Sequence, residues 1–172
     1  TVVQRHNSQY PLEVYRFLKE HGSGFMQFIP IVERIAEEPK PGDLVLISPD
    51  SDRPARVSDW SVEPLQFGRF LTAIFDEWVR NDVGQFYVQL FDVSLEAWVG
   101  LQPSLCIFRV TCGEAMIIDH NGDVYSCDHY VYPENRLGNI MENPLVPLVT
   151  SEQQRKFGLD KRDRLPRYCL DC

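Results

Sequence analysis

The chain has 172 residues, 44% hydrophobic and 24% charged, with a formal net charge of −8, which leaves room for one domain or one and a fraction. Residues 151–172 carry six Lys/Arg against four Asp/Glu, so the acidic excess lies in residues 1–150; such a body repels polyphosphate and disfavours nucleic acid as a partner. No apolar run approaches the roughly 18–20 residues of a membrane span, and residues 1–6 lack the charged start and apolar middle of a signal peptide, so a cytoplasmic protein with no membrane partner is expected. The chain has no initiator methionine and stops inside a cysteine motif, which gives the expectation of a piece of a longer protein.

In chain order, Val2-Val3 predicts a short strand. Pro11 opens a helix over residues 11–22, with Leu12, Val14, Tyr15 and Leu18 as its apolar stripe and Gly22 as its stop. Residues 25–32, FMQFIPIV, read as a buried strand, and the order strand, helix, strand suggests a parallel α/β unit. Residues 33–62 are rich in Pro, Asp and Ser, with a short strand expected at Leu44-Val45-Leu46-Ile47; a loop of that length is usually functional or mobile. Ser61 is the expected N-cap of the next helix, where Leu65, Phe67, Phe70, Leu71, Ile74, Phe75, Trp78 and Val79 recur at helical spacing as far as Asn81. That stripe is assigned to core packing. Residues 85–92 predict a further strand and residues 94–101 a short helix.

The character changes after Pro103. Three of the five cysteines fall within residues 106–128, with five residues between Cys106 and Cys112 and fourteen between Cys112 and Cys127. Asn121-Gly122 is a strong hairpin signal, because both residues accept the positive φ of a type I′ turn. A hairpin here returns Cys127 to Cys112 and delivers Asp128 to the same place. Residues 130–140 then read as a loop, residues 144–158 contain a short helix, and a polar stretch leads to Cys169-x-x-Cys172.

An odd number of cysteines without a secretory signal favours metal or cluster ligation over disulfides. Thiolates suit zinc, copper(I) or iron–sulfur clusters. Structural zinc sites pair two close knuckles; the wider Cys106–Cys112 spacing tilts the reading toward a cluster. Asp128, next to a cysteine ligand, is a candidate proton acceptor if burial raises its pKa, against the alternative of an ordinary turn residue. His129 is a candidate donor behind the ligands, and His120 a solvated turn residue. His6 and His21 stand without a constellation. No nucleophilic triad, Walker loop or G-x-G-x-x-G follows from the sequence.

The pattern C-x5-C-x14-C-D, with GDVYSCDHYV and RLGNI after it, resembles the SPASM auxiliary-cluster domain of radical S-adenosylmethionine enzymes, and most of all the anaerobic sulfatase-maturating enzymes. The resemblance implies an α/β fold: residues 1–103 as the C-terminal part of a partial (β/α)6 barrel, and residues 104–172 as a truncated, hairpin-containing SPASM domain. It implies an oxidoreductase of sulfatase maturation that converts a Cys or Ser of a sulfatase polypeptide to Cα-formylglycine. A reduced [4Fe–4S] cluster would cleave S-adenosylmethionine, with flavodoxin or ferredoxin as electron donor. By resemblance, Cys106, Cys112 and Cys127 ligate a first auxiliary [4Fe–4S] cluster, Cys169 and Cys172 belong to a second, Asp128 is the base, and Val32 lies near the cofactor's adenine. The C-x3-C-x2-C radical motif and the remaining auxiliary ligands do not occur in these 172 residues, so this stretch alone is not expected to be active. The alternative readings are a zinc-binding interaction module without catalysis and a regulatory or scaffold protein of sulfatase expression.

Overall fold

The apolar stripe at residues 65–79 folds as α2 (Pro64–Asn81), which buries Phe70, Ile74 and Trp78 along one face. The computed structural model describes residues 1–38, 46–47 and 51–170, and it divides into two compact units, Thr1–Asp92 and Val93–Cys172. In the first unit β1 (Val2–Val3) is followed by α1 (Pro11–His21), β2 (Phe25–Met26), β3 (Ile29–Pro30), β4 (Arg34–Ala36) and β5 (Ala55–Val57). After α2 come β6 (Tyr87–Val88) and α3 (Gln89–Trp98), which runs across the division between units. The fold is mixed α/β. Strands β1 and β3 pair in parallel, as do β2 and β6, while β4 and β5 are antiparallel.

The first unit's core is aromatic. Trp78 is fully buried, packs against Phe75 and Phe91, and donates its indole N–H to the Phe86 carbonyl at 2.8 Å. Tyr15 is the buried residue of α1; its hydroxyl donates to Asp82 at 2.8 Å, and Lys19 reaches the same carboxylate at 2.8 Å. Burial, followed by the adjacent Asp82, pushes the Tyr15 phenol well above its ordinary range. This ties α1 to the C-terminal end of α2.

The expected strand over residues 25–32 is two strands, because each half finds a different partner: β2 pairs with β6 and β3 with β1. It is also only half-buried, with Met26 and Phe28 inside and Phe25 and Ile29 exposed. Ser61 does not cap α2. Its hydroxyl lies 2.7 Å from that of Ser58 and accepts the Glu33 N–H, while Glu63 precedes Pro64 at the helix start; proline needs no partner for a missing N–H. The strand expected at residues 85–92 stops at Val88, because Asp92 accepts the Val88 N–H at 2.8 Å and the chain turns into α3. Of the strand expected at residues 44–47, Leu44 and Val45 lie outside the described residues, and Leu46 forms an isolated antiparallel bridge with Ile35.

The second unit contains β7 (Ile117–Ile118), β8 (Asp123–Tyr125) and β9 (Arg136–Asn139) in one antiparallel sheet, then α4 (Leu145–Val149), α5 (Glu152–Asp163) and α6 (Arg167–Leu170). Its third strand occupies part of the stretch expected to be a loop. After the sheet its helices exceed the single short one expected within residues 144–158, because Ser151 accepts the Gln154 N–H and starts α5 as an N-cap. Among the described residues its buried hydrophobic side chains are Val93, Val124 and Leu148, against twelve in the first unit.

Candidate metal centre

The hairpin forms where Asn121-Gly122 places it, but with a different turn. The Gly122 N–H donates to the Asp119 carbonyl at 2.9 Å and the Asp119 N–H to the Asp123 carbonyl at 2.8 Å. Gly122 has φ +89°, and among the described residues no non-glycine has positive φ, so Asn121 does not take the type I′ conformation. A three-residue loop ending on a left-handed glycine suits the same strand twist. Glycine is needed twice over, since a Cβ at Gly122 would lie 2.8 Å from the Asn139 side-chain oxygen.

Asn139 and Arg136, both on β9, hold the hairpin. The Asn139 amide donates to the Asn121 carbonyl and to Asp123, both at 3.0 Å, and Arg136 pairs with Asp123 at 2.6 Å. The Arg136 guanidinium first, and the Asn139 amide second, hold the Asp123 carboxyl below its ordinary value of 3.8. A depressed folded pKa contributes stability that is present above that ordinary value and is lost as pH falls through the folded value. The β8 and β9 amides are therefore expected to lose hydrogen-exchange protection, relative to the first unit, as pH falls below 3.8. Asp123→Asn should remove that differential loss; an unchanged profile in the variant would show that another group controls the sheet.

Beyond β8, Ser126 is buried and its N–H donates to the Asn135 carbonyl at 3.0 Å, which fixes the start of the next three residues. The Cys127 thiol donates to Asp128 at 3.4 Å, and His129 Nδ1 lies 3.0 Å from the same carboxylate oxygen and 3.9 Å from the Cys127 sulfur. Among the described residues these three are the one group of metal-ligating side chains whose donor atoms all lie within 4.8 Å of one another. Burial pushes the Cys127 thiol up, and Asp128 adds to the effect; the same hydrogen bond, first among its causes, holds the Asp128 carboxyl down. The expectation of a buried Asp128 with raised pKa is not met: its side chain is 53% exposed.

A cleft of about 710 Å³ gathers Cys106, Cys112 and Cys127, together with His129, Lys161 and Arg164. Burial raises the Cys112 thiol, and the Lys161 ammonium opposes that shift. All three cysteines are free thiols, and so is Cys169, which is exposed on α6 and does not line this cleft. Cys172 lies outside the described residues. Val32 follows β3 in the first unit, with 65% of its surface exposed. His120 is an exposed turn residue that contacts Asp119.

Sequence reasoning placed a short helix within residues 144–158 but missed how far α5 extends and what it touches. Gln154, Gly158 and Lys161 share one helix face and touch the three cysteine-bearing segments. The spacing i, i+4, i+7 after an N-cap serine was the available signal, but its targets are backbone carbonyls and one backbone N–H, which no residue type advertises. Among the described residues no helix is long and apolar enough to cross a membrane.

Residues 106–172 match the iron-sulfur cluster-binding domain family SPASM. The chain is 45% identical over 171 residues to the serine-type anaerobic sulfatase-maturating enzyme of Bacteroides thetaiotaomicron, covering 99% of this chain and 41% of that protein. It is 28% identical over 174 residues to the cysteine-type enzyme of Clostridium novyi, covering 100% of this chain and 42% of that one. The solved structure of native anSMEcpe with bound AdoMet and Cp18Cys peptide superposes with a TM-score of 0.74 at 25% identity, over 99% of this chain and 43% of that one. The chain thus spans about two fifths of the length of these relatives. Along its length it matches the anaerobic sulfatase-maturating enzymes, with an iron-sulfur cluster-binding SPASM domain over residues 106–172.

Proposed function

We propose that this chain is the auxiliary-cluster part, with adjoining barrel elements, of a radical S-adenosylmethionine oxidoreductase that converts a Cys or Ser of a sulfatase polypeptide to Cα-formylglycine. One observation carries the reading: three free thiols line a single cleft in a unit that buries only three hydrophobic side chains among the described residues. So small an apolar core needs a staple, and a bound metal group stabilises the fold directly. The donor set fits a [4Fe–4S] cluster held by Cys106, Cys112 and Cys127, with a fourth ligand from outside the described residues. Cys169 and Cys172 would serve a second cluster. The names of the relatives and the peptide-bound structure support the substrate class.

In this reading residues 1–103 supply the last elements of a partial (β/α)6 barrel, supported by the parallel β1–β3 and β2–β6 pairs, and residues 104–172 form the SPASM domain. Val32, just past β3, would face the adenine of the cofactor. When bound, S-adenosylmethionine with its own cluster supplies the one-electron chemistry that takes a hydrogen from the substrate β-carbon. Asp128 accepts the proton from the substrate's thiol or hydroxyl, and its exposure leaves it open to a substrate side chain. His129, 3.0 Å from that carboxylate, holds it in place. Flavodoxin or ferredoxin would be the electron donor, and the setting cytoplasmic.

A zinc-binding module is the second reading, favoured by the Cys127, Asp128 and His129 group. Against it, Cys106 and Cys112 do not join that group within 4.8 Å, whereas Zn–S bonds of about 2.3 Å bring ligand sulfurs within roughly 3.8 Å of each other. Analysis of iron, acid-labile sulfide and zinc in the anaerobically prepared whole protein tests the choice. Iron and sulfide are expected in equal amounts, and Cys112→Ala should remove one cluster's worth of both. Zinc without sulfide would overturn the cluster reading.

A further inference from the structure

Helix α5 touches every cysteine-bearing segment of the cleft along one face. Gln154 donates to the Gly113 carbonyl at 2.7 Å and to the Ser126 carbonyl at 3.2 Å, one residue from Cys112 and one from Cys127. Gly158 accepts the Cys112 N–H at 3.1 Å, and a Cβ there would run into the Cys112 carbonyl oxygen. Lys161 donates to two successive carbonyls, Cys106 at 2.5 Å and Ile107 at 3.0 Å, and lines the cleft itself. Residues 154, 158 and 161 are spaced i, i+4, i+7, so a single stripe of one helix meets all three segments. Among the described residues no carboxylate lies within ion-pair distance of the Lys161 ammonium.

These contacts divide into two kinds. Gln154 and Gly158 set where the backbone of two cysteines runs. Lys161 does this for Cys106 and also brings a positive charge to the wall of the cleft. Thiolates around an iron–sulfur core carry net negative charge, and the reduction potential of such a core depends on local charge and hydrogen bonding. A nearby cation favours the more negative, reduced state, the more so where protein has displaced water.

We propose that Lys161 is a positioning residue of the thiol cleft that also raises the reduction potential of the group bound there, with Gln154 and Gly158 completing the brace. The inference rests on the cluster reading above, and it concerns a helix face rather than the ligands.

The test uses the whole protein, reconstituted anaerobically with iron and sulfide, and a redox titration followed by electron paramagnetic resonance. The cleft's signal is the one that Cys106→Ala abolishes. Lys161→Met keeps the aliphatic stem and removes the charge and the donors. It is expected to shift that signal's midpoint downward by roughly a tenfold change in the reduced-to-oxidised ratio, about 59 mV for a one-electron couple. Lys161→Arg should restore most of the shift. Gly158→Ala should lower iron content at the cleft without loss of far-ultraviolet helix signal. If Lys161→Met fails to load iron while Lys161→Arg loads it, the positioning role stands. If Lys161→Met leaves both the intensity and the midpoint of the signal unchanged, or if both Lys161 variants behave alike, the inference is overturned while the cluster reading survives. If Cys106→Ala removes no signal, the cluster reading itself falls.

Discussion

Asp128→Asn is expected to lower formylglycine formation by roughly 10²–10⁴-fold, the contribution of a positioned general base, while cleavage of S-adenosylmethionine continues. Asparagine preserves the shape of the side chain and an oxygen able to accept from His129, so the local contact at 3.0 Å need not be lost. What disappears is the capacity to receive a proton. The experiment counts cofactor cleaved against product formed, with iron and sulfide measured on the same sample. Unimpaired product yield with full cluster content would remove Asp128 from the reaction. Loss of iron together with product would assign it to holding the site. The exposure of Asp128 bears on the result: an open carboxylate can meet a substrate side chain directly, without the burial expected from the sequence.

Trp78→Ala is expected to destabilise the first unit by about 3–5 kcal/mol, the usual cost of emptying a large aromatic site. The indole is fully buried and contacts Phe75 and Phe91, so neighbouring rings cannot easily close the cavity. Its N–H also satisfies the Phe86 carbonyl at 2.8 Å, and leaving that oxygen unpaired adds to the loss. Urea denaturation followed by circular dichroism measures this. The control is Trp98→Ala, the same substitution at a residue that is 89% exposed, expected to stay within about 0.5 kcal/mol of the parent. Equal effects at the two sites would place the core elsewhere.

The sequence made local features legible and hid those that depend on distant backbone. The stripe on α2 could be read because helical periodicity needs only the chain's own residues, and Phe70, Ile74 and Trp78 are buried as expected, whereas Leu65 and Val79 at its ends are exposed. The hairpin could be read from Gly122, although the turn type could not: a left-handed glycine serves more than one loop, and Asn121 gave no means to choose. Cysteine spacing pointed to the cleft because hairpin geometry is short-range. By contrast, Gln89, Leu90 and Phe91 suit a strand as well as a helix, and an Asp92 hydrogen bond to the Val88 backbone decides between them. Strand β9 looks like a loop because Gly138 and Asn139 carry turn chemistry. Its pairing with β8 relies on Asn139 and Arg136 reaching across to Asp123. Ser61 had the right residue type for a cap, but its hydroxyl is used by Ser58 and the Glu33 backbone.

The contact between Gly158 and the Cys112 backbone bears on how this region can be cut. A synthetic peptide spanning residues 106–128 would retain all three sulfurs yet leave behind the helix that touches their segments from positions 154 to 161. Minimal excisions drawn around the sulfurs alone would therefore discard the scaffold and keep only the ligands. Any transplant of the centre into another protein has to carry at least the stretch through Asp163, where α5 ends.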